Sequence, residues 1–320
     1  MAHALVTGGA GFIGSHLAKA LLDRGHSVTV LDDLSTGSRG NIEHLESIPA
    51  FRFVLGTIMD SNTVNELTSR CDLVFHFAAA VGVKYIIDNP LASLRTNTKG
   101  TENVFEAANK YKRKVVIAST SEIYGKNEKE SLSEEDDRIL GSTTISRWGY
   151  SCSKAFDEFL AFAYWREKKL PVVILRFFNT CGPRQTGEYG MVVPRFVKAA
   201  LLGHPLQVFG DGKQVRCFSC VDDVVEGIVA LSEHPEAEGE VFNLGSTEAV
   251  TIEELARKVV EMTGSSSTIN LVPYEQAYEK GFEDLRRRVP DISKAQRLVG
   301  FQPKTSLDEL LRQVVKYFQE

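Results

Sequence analysis

The sequence has few of the features that mark secreted or metal-bound proteins. Only five of its 320 residues are cysteines, and this odd, scattered set is typical of reduced thiols and not of a disulfide framework. Cys217 and Cys220 form a C-x-x-C pair, but no second pair at the spacing of a zinc site accompanies it. We therefore expect two separate thiols there and no bound metal.

Long hydrophobic runs and an excess of positive charge are also missing. No apolar stretch approaches the roughly 20 residues that cross a bilayer, so we expect no membrane span. A strand pattern begins almost at Met1, which leaves no room for a signal peptide and predicts a cytoplasmic protein. The formal net charge of -5 argues against nucleic acid as the main partner. An anionic ligand would instead have to meet a local cluster of arginines.

What the sequence does have is a regular alternation of strand-like and helix-like segments. A hydrophobic content of 43% is enough for a full core. The apolar, β-branched runs predicted as strands are residues 4–7, 27–31, 51–55, 72–77, 114–119 and 172–177, and helical periodicity covers 12–24, 61–70, 90–111 and 150–168. This alternation predicts an α/β fold with a doubly wound parallel sheet, in which ligands bind at the carboxyl ends of the strands.

The first predicted strand leads into a glycine-rich turn. Gly8, Gly11 and Gly14 follow residues 4–7 and open the helix predicted over 12–24. Because glycine has no Cβ, the backbone can turn tightly there, a pyrophosphate can approach the amides, and the helix can pack against the strand. The N-terminus of the helix then presents free N–H groups to the phosphate charge.

Two acidic residues complete this pattern. The second strand, residues 27–31, delivers Asp32 and Asp33 about 20 residues beyond the glycines, which is where a carboxylate can hold a ribose. A glycine turn that binds nothing would leave these acids unexplained, so we predict a dinucleotide site. Asp32 should accept hydrogen bonds from the ribose hydroxyls and repel a 2′-phosphate, which favours NAD over NADP.

A polar triplet follows the strand over 114–119. Thr120, Ser121 and Glu122 stand at the carboxyl end of a central strand, where side chains point into the cleft. The alternative interpretation is a hydroxyl-rich turn that satisfies its own amides. We predict that the triplet belongs to the functional site.

Tyr150 and Lys154 open the helix predicted over 150–168. Residues four apart share a helical face, so we expect the Lys154 ammonium to lie beside the Tyr150 phenol. A neighbouring cation favours the phenolate and should lower the pKa of Tyr150 from its usual value of about 10 towards neutral. Tyr150 would then serve as a general base. The same spacing arises by chance in many helices, and it gains meaning here only together with the glycine turn and Thr120.

At these residues the chain resembles the extended short-chain dehydrogenase/reductase family, whose members are nucleotide-sugar epimerases, dehydratases and decarboxylases. The matching segments are the glycine turn with Asp32, residues 75–79, 97–101 and 120–125, Tyr150 with Lys154, and residues 175–179, 209–212, 216 and 290–295. The resemblance implies a Rossmann fold with a smaller C-terminal α/β lobe that binds the sugar nucleotide. We expect the NAD-binding domain over 1–178 and the lobe over 179–320, interleaved so that part of 206–245 returns to the Rossmann sheet.

The family also implies roles for individual residues. Tyr150 takes the proton of the sugar C4 hydroxyl while the C4 hydride passes to NAD, Lys154 holds the nicotinamide ribose, and Thr120 hydrogen-bonds the reacting oxygen. The predicted cofactor site comprises Gly8, Gly11, Phe12, Ile13, Gly14, Asp32, Asp33, Ile58, Phe77, Ala78, Ala79, Asn97, Tyr150, Lys154 and Phe177. The predicted substrate site comprises Ser121, Asn179, Val193, Arg216 and Arg288. Arg216 matches the arginine that clamps the diphosphate, for which a guanidinium fork is well suited.

Glu122 and Arg288 bear on which member of the family this is. Epimerases usually have small residues at the position of Glu122, whereas 4,6-dehydratases and UDP-glucuronate decarboxylases have an acid. A dehydratase would use Glu122 to remove the C5 proton, but a decarboxylase needs no base, because a C4 ketone makes the C6 carboxylate a β-keto acid. Arg288 resembles the decarboxylases' arginine that meets this carboxylate or supplies the C5 proton, and Ser121 could also hold the carboxylate. The stretch 179–218, which includes Gly190, resembles decarboxylases more than GDP-mannose dehydratases.

The resemblance therefore predicts an NAD-dependent enzyme that works through a 4-keto sugar, with decarboxylation of UDP-glucuronate to UDP-xylose as the leading reaction. A UDP-sugar 4-epimerase of the UDP-glucose type and a nucleotide-sugar 4,6-dehydratase are the alternatives within the family. A sensor that binds a dinucleotide or sugar nucleotide without turnover is the alternative from another class, and the catalytic-looking Tyr150 and Lys154 speak against it. The long helices predicted over 90–111 and 150–168 could pair with a second subunit, so we expect a homodimer.

Overall fold

A computed structural model of the chain describes residues 1–188, 191–277 and 285–320. Gly190, which belongs to the decarboxylase-like stretch of the sequence, lies outside these ranges. Within them, none of the helices combines the length and the apolar character that crossing a bilayer requires.

The strands alternate with helices along the first two thirds of the chain. Numbered in chain order, they are β1 (His3–Thr7), β2 (Ser27–Asp32), β3 (Phe51–Leu55), β4 (Leu73–His76), β5 (Lys114–Thr120), β6 (Val172–Phe177), β7 (Thr180–Cys181), β8 (Leu206–Phe209), β9 (Val215–Cys217), β10 (Ser219–Cys220), β11 (Glu240–Leu244), β12 (Ala249–Thr251), β13 (Ile269–Val272) and β14 (Arg287–Arg288). The six strands predicted from the sequence are all present, with bounds that differ by no more than a residue or so.

In the described part of the chain, seven parallel strands form the central sheet, in the order β11-β6-β5-β4-β1-β2-β3. The chain runs from β1 to β3 towards one edge and then crosses back to place β4 on the other side of β1. A doubly wound sheet forms its ligand crevice where the strand order reverses, which here is between β1 and β4. The predicted Rossmann-type α/β fold is confirmed.

Twelve α-helices in the described ranges flank this sheet and form much of the C-terminal part. They are α1 (Phe12–Asp23), α2 (Ser61–Ser69), α3 (Val83–Asp88), α4 (Pro90–Arg95), α5 (Thr101–Tyr111), α6 (Arg147–Lys168), α7 (Val192–Leu201), α8 (Val221–Glu233), α9 (Ile252–Thr263), α10 (Tyr274–Ala277), α11 (Ser293–Val299) and α12 (Leu307–Gln319). The single helix predicted over 90–111 is instead two helices, α4 and α5, joined by a π-helical turn over Thr96–Gly100. The helix predicted to start at Tyr150 begins one turn earlier, at Arg147.

The two faces of the sheet bury separate hydrophobic cores. Side chains alternate along a strand, so Ala4 and Val6 of β1 point to one face and Leu5 to the other. The first face packs on α1 and α8, where Leu17 is fully buried. The second face packs on α2 and α5, where Val104 is fully buried. These layers hold the carboxyl ends of the strands at one rigid edge.

The C-terminal lobe has a core of its own and brings two arginines to that edge. Helices α7, α9 and α12 pack together around Phe196, Leu255 and Leu311. A small sheet in the order β12-β9-β14 sets Arg216 of β9 in register with Arg288 of β14. Because paired residues of adjacent strands point to the same side, this register places the two arginine side chains on the same side of the small sheet.

A buried ion pair ties α6 to the sheet below the cavity edge. Arg176 of β6 donates to the Glu158 carboxylate at 3.0 and 2.7 Å, and both side chains are less than 10% exposed. Arg176 also donates to the Tyr124 hydroxyl at 2.9 Å, and Ser119 donates to Glu158 at 2.5 Å. The network fixes the position of α6, the helix that carries Tyr150.

Glu158→Gln should therefore destabilise the protein strongly. Arg176 would keep its charge in the interior without an ionic partner, and breaking a buried pair in this way costs about 3–5 kcal/mol. Urea unfolding measures the loss. The matched control is Glu102→Gln, which breaks the exposed Lys99–Glu102 pair of 2.8 Å and should cost less than about 1 kcal/mol. Equal losses in the two variants would contradict the prediction.

Candidate functional site

A cavity of about 770 Å³ lies between the carboxyl edge of the central sheet and the C-terminal lobe. The predicted site residues that line it are Gly8, Gly11, Phe12, Ile13, Gly14, Asp32, Asp33, Ile58, Phe77, Ala78, Ala79, Thr120, Ser121, Glu122, Tyr150, Lys154, Phe177, Asn179, Arg216 and Arg288. They come from the turns after β1 to β6, from α6, and from β9 and β14 of the lobe. The topology of the sheet thus gathers side chains that are far apart in the sequence.

Two of the predicted residues lie behind the cavity wall. Asn97 is 1% exposed, and its side chain accepts from the Ala80 N–H at 2.7 Å and donates to the Ala80 C=O at 3.2 Å. Val193 is fully buried in the core of the lobe, whereas its neighbour Val192 faces the cavity. Any part that Asn97 or Val193 has in binding would be exerted through these neighbours.

The glycine turn after β1 fits a dinucleotide. Gly8 has a φ of +72°, and a Cβ there would lie 2.6 Å from the Ala78 backbone nitrogen. A Cβ on Gly14 would lie 2.2 Å from the Gly8 carbonyl oxygen. No other residue fits either position, so the turn keeps its backbone bare at the N-terminus of α1. This leaves the amides accessible to a pyrophosphate.

Asp32 lies at the end of β2 and is 8% exposed. Its carboxylate accepts hydrogen bonds from the N–H groups of Ala10 at 2.9 Å and Leu34 at 2.8 Å. Burial raises the pKa of Asp32, and these amides offset the effect only in part. Asp33 adds a second, exposed carboxylate to the cavity wall. This acidic corner fits a ribose with free hydroxyls and disfavours a 2′-phosphate.

Thr120 and Tyr150 meet in the cavity. The Thr120 hydroxyl is hydrogen-bonded to the Tyr150 phenol. It also accepts from the N–H of Glu122 at 3.2 Å, which is the self-satisfied turn considered as the alternative. Both arrangements occur together, because a hydroxyl has one donor and two acceptor positions.

The expected effect of Lys154 on Tyr150 is wrong for the chain as the structure describes it. Burial, followed by the charge of Glu122, raises the pKa of Tyr150 above its usual value, and the hydrogen bond with Thr120 offsets this only in part. The Lys154 ammonium is 3% exposed and donates to the Asp157 carboxylate at 2.8 Å. Because Asp157 is fully buried beside it, the pair presents little net charge to the phenol.

Glu122 lies between two guanidinium groups. Arg147 donates to its two oxygens at 3.4 and 3.1 Å, and Arg288 is hydrogen-bonded to its Oε1. Burial alone would raise the pKa of Glu122, but the charges of Arg147 and Arg288 outweigh burial and lower the pKa to about 2. Glu122 is therefore ionised at physiological pH, and two positive charges face one negative charge.

Arg288 links this charged cluster to the lobe. Its Nη2 donates to the Asn179 Oδ1 at 2.7 Å, and the Asn179 amide in turn donates to a carbonyl of β9 at 2.9 Å. Arg216 is 6% exposed and lines the same part of the cavity. Arg286, two residues before Arg288, is by contrast 67% exposed and pairs with Asp211.

Sequence reasoning missed Arg147 and Arg184, which line the cavity, and Asp157, which pairs with Lys154 behind it. Arg147 lies one helical turn before Tyr150, and Asp157 lies one turn after Lys154, so a wider search at helical spacing would have found both. Arg184 lines the cavity from the loop between β7 and α7, where it adopts a φ of +70°. No periodic pattern covers that loop, so nothing in the sequence pointed to it.

Comparison with known proteins identifies the family. A sequence profile of the GDP-mannose 4,6-dehydratase family matches residues 5–314. The UDP-N-acetyl-alpha-D-glucosaminuronate decarboxylase of Bacillus cytotoxicus is 43% identical over 318 residues, which are 99% of this chain and 97% of that protein. UDP-glucuronic acid decarboxylase 1 of Xenopus tropicalis is 35% identical over 99% of this chain and 72% of that protein.

A solved structure agrees with these relatives. The UDP-glucuronic acid 4-epimerase of Bacillus cereus, determined with UDP-glucuronic acid and NAD, is 32% identical and covers 99% of both chains with a TM-score of 0.90. The bare glycine turn and the acidic corner at Asp32 are the features that such a cofactor needs. The chain therefore belongs to the GDP-mannose 4,6-dehydratase group of the extended short-chain dehydrogenase/reductase family, and it is an NAD-dependent enzyme.

Proposed function

We propose that this enzyme removes CO2 from a UDP-linked hexuronic acid, either UDP-glucuronate, which would give UDP-xylose, or its N-acetylglucosaminuronate counterpart. The observation that carries the proposal is Glu122 held between Arg147 and Arg288, with Arg216 next to Arg288. One carboxylate faces three guanidinium groups, and the surplus positive charge can receive the C6 carboxylate of a uronic acid. The two decarboxylases of uronic acids among the relatives support this choice.

The low pKa of Glu122 favours decarboxylation over dehydration. A 4,6-dehydratase needs a base that takes the C5 proton near neutral pH, and a carboxylate with a pKa of about 2 is too weakly basic for that task. Decarboxylation needs no base at this point, because a β-keto acid loses CO2 once its carboxylate is oriented and desolvated. The enolate that remains then takes a proton at C5, from water or from the guanidinium of Arg288. In this proposal Glu122 orients Arg288 and carries no proton.

The other wall residues take the remaining tasks. The glycine turn and Asp32 would hold NAD, which would supply the acceptor and later the donor of the C4 hydride. In its phenolate form Tyr150 takes the proton of the C4 hydroxyl and later gives one back, and Thr120 orients the reacting oxygen through the hydroxyl that already contacts Tyr150. Ser121 is 2% exposed at the cavity wall and can donate to the uronate carboxylate. Lys154 faces the predicted ribose position from α6.

A UDP-uronic acid 4-epimerase is the second candidate. The similarity to the Bacillus cereus structure, which contains UDP-glucuronic acid, favours this candidate. The similarity covers 99% of both chains. Both reactions begin with oxidation at C4, and both need the carboxylate to be held. They differ in whether the bond between C5 and the carboxylate carbon breaks, so the mass of the product separates them.

We also propose a homodimer formed by α4 and α6. Leu91 and Leu94 of α4 are 68% and 40% exposed, and Phe156 and Phe159 of α6 are 48% and 67% exposed. The two helices pack side by side, so these large apolar side chains belong to neighbouring surfaces. Clustered apolar exposure of this kind is typical of a surface covered by another protein.

The cytoplasmic location remains a proposal as well. The five cysteines are all free thiols, and four of them are buried. Unpaired cysteines in this number suit a reducing compartment. Localisation of a fluorescent fusion in the native host would test it.

Mass spectrometry of the reaction products tests the proposed function. With NAD and either UDP-hexuronic acid, the purified enzyme should form a product lighter by one CO2. UDP-glucose, which has no carboxylate, should give no such product. Tyr150→Phe should reduce turnover by about 10²- to 10⁴-fold, because the general base is removed. A product of unchanged mass would establish the epimerase instead, and loss of water would establish a dehydratase.

Arg288→Met should lower kcat/KM for the UDP-hexuronic acid by about 10²-fold or more, because truncating one partner of a buried, hydrogen-bonded charge pair costs about 2–5 kcal/mol. Steady-state kinetics measure the change. Arg286→Met is the matched control, because Arg286 lies two residues away, is exposed, and pairs with Asp211. The control should behave as the unmodified enzyme does. Equal effects of the two substitutions would contradict the role given to Arg288.

Phe159→Asp should convert the dimer into a monomer, because a charge would replace one of the exposed apolar side chains of the proposed interface. Size-exclusion chromatography with light scattering measures the mass. Leu202→Asp is the control, since Leu202 is 68% exposed, close to the 67% of Phe159, but belongs to the lobe. A monomeric unmodified enzyme, or a dimer that survives Phe159→Asp, would refute this interface.

A further inference from the structure

Asp157 is a buried carboxylate for which the proposed mechanism has no task. It is fully buried on α6, and its Oδ2 accepts from the Lys154 ammonium at 2.8 Å. Among the described residues its Oδ1 has no hydrogen-bond partner, because the nearby Thr101 hydroxyl donates to the Asn97 carbonyl at 2.5 Å. A half-satisfied buried carboxylate is costly to keep, so a specific use is expected of it.

Asp157 is the group that balances the positive charge of Lys154, because the other titratable neighbours are neutral or already paired. His76 of β4 is hydrogen-bonded to the Thr7 hydroxyl at 2.8 Å and the Thr101 hydroxyl at 3.0 Å. Burial, followed by the Lys154 charge, lowers the pKa of His76 to about 3, so its ring is neutral. The adjacent Glu158 is already committed to its ion pair with β6.

We propose that Asp157 is a positioning residue that fixes the Lys154 ammonium in the cavity wall and offsets its charge towards Tyr150. Tyr150, Lys154 and Asp157 occupy positions i, i+4 and i+7, so phenol, ammonium and carboxylate follow one another along one face of α6. The ammonium of Lys154 is therefore held where it can bind a ribose, while the nearby carboxylate keeps it from strongly lowering the pKa of Tyr150. This inference rests on the proposed function, in which Tyr150 is the base.

The electrostatics of Tyr150 support this assignment. Besides its burial, two carboxylates raise its pKa, Glu122 from the turn after β5 and Asp157 from α6, while Arg288 of β14 lowers it. Arg147 contacts Glu122, the first of these carboxylates, at 3.1 Å. A negative charge near a phenol disfavours the phenolate, so removing the Asp157 charge should make the Tyr150 proton easier to lose.

Asp157→Asn tests the proposal, because it removes the charge and nearly keeps the shape. Phenolate formation by Tyr150, followed by near-ultraviolet absorbance of the purified holoenzyme against a Tyr150→Phe reference, should begin about one pH unit lower than in the unmodified enzyme. The acidic limb of kcat/KM should move to lower pH by a similar amount. Glu309→Gln is the matched control, since it breaks an exposed pair of the same spacing and length with Arg312, and it should move neither curve.

A uniform loss of activity at every pH with no shift in either curve would show that Asp157 is merely structural, and a shift to higher pH would also overturn the proposal.

Asp157→Glu keeps the test open if Asp157→Asn fails to fold. It retains the charge but displaces the ammonium, so the acidic limb should stay in place while kcat falls by about 10-fold. An unchanged kcat would overturn the positioning role. The phenolate titration needs no sugar substrate, so its outcome is independent of whether CO2 is lost.

Discussion

Charges that leave water must find partners, and this constraint shapes the whole cavity. Glu122 is shared by Arg147 and Arg288, and Lys154 is held by Asp157. The carboxylates of Glu122 and Asp157 are both fixed by their cationic partners. The first cluster retains an excess of positive charge, which suits an anionic sugar, while the second is nearly neutral beside the phenol. In the proposed function, this difference in net charge is why the first cluster receives the uronate carboxylate and the second lies beside the base.

The architecture makes these pairings possible because it joins two independent layers of structure at one edge. The Rossmann sheet supplies the carboxyl ends of β1 to β6 and a glycine turn with no room for side chains. The lobe supplies β9 and β14, whose register sets Arg216 beside Arg288. Arg288 then reaches across to Glu122 on the sheet. The charged cluster therefore exists only when both layers are folded and in contact.

Features encoded within a short stretch were predictable. The glycine turn, Asp32 after β2, and the polar triplet at Thr120 each follow directly from a strand pattern, because side-chain periodicity shows where a buried strand ends. The six predicted strands and the parallel sheet followed for the same reason. Features that depend on neighbours distant in sequence were less accessible. Asn97 lies in a π-helical turn, which the helical periodicity of the sequence does not predict. Val192 and Val193 are both apolar, and only the packing of α7 decides that Val193 faces the lobe core.

The sequence by itself determined the kind of fold, the place of the cofactor turn and the helical face shared by Tyr150 and Lys154, since all of these depend on spacing along the chain. Only the tertiary structure decided how acidic those groups are. The effect of a charge depends on burial and on every other charge nearby. Burial of the Tyr150 phenol, together with the charges of Glu122 and Asp157, raises its pKa where the lysine alone was expected to lower it. Spacing along the chain determines which side chains can come into contact, whereas tertiary packing determines the burial and the neighbouring charges that set the pKa of each one.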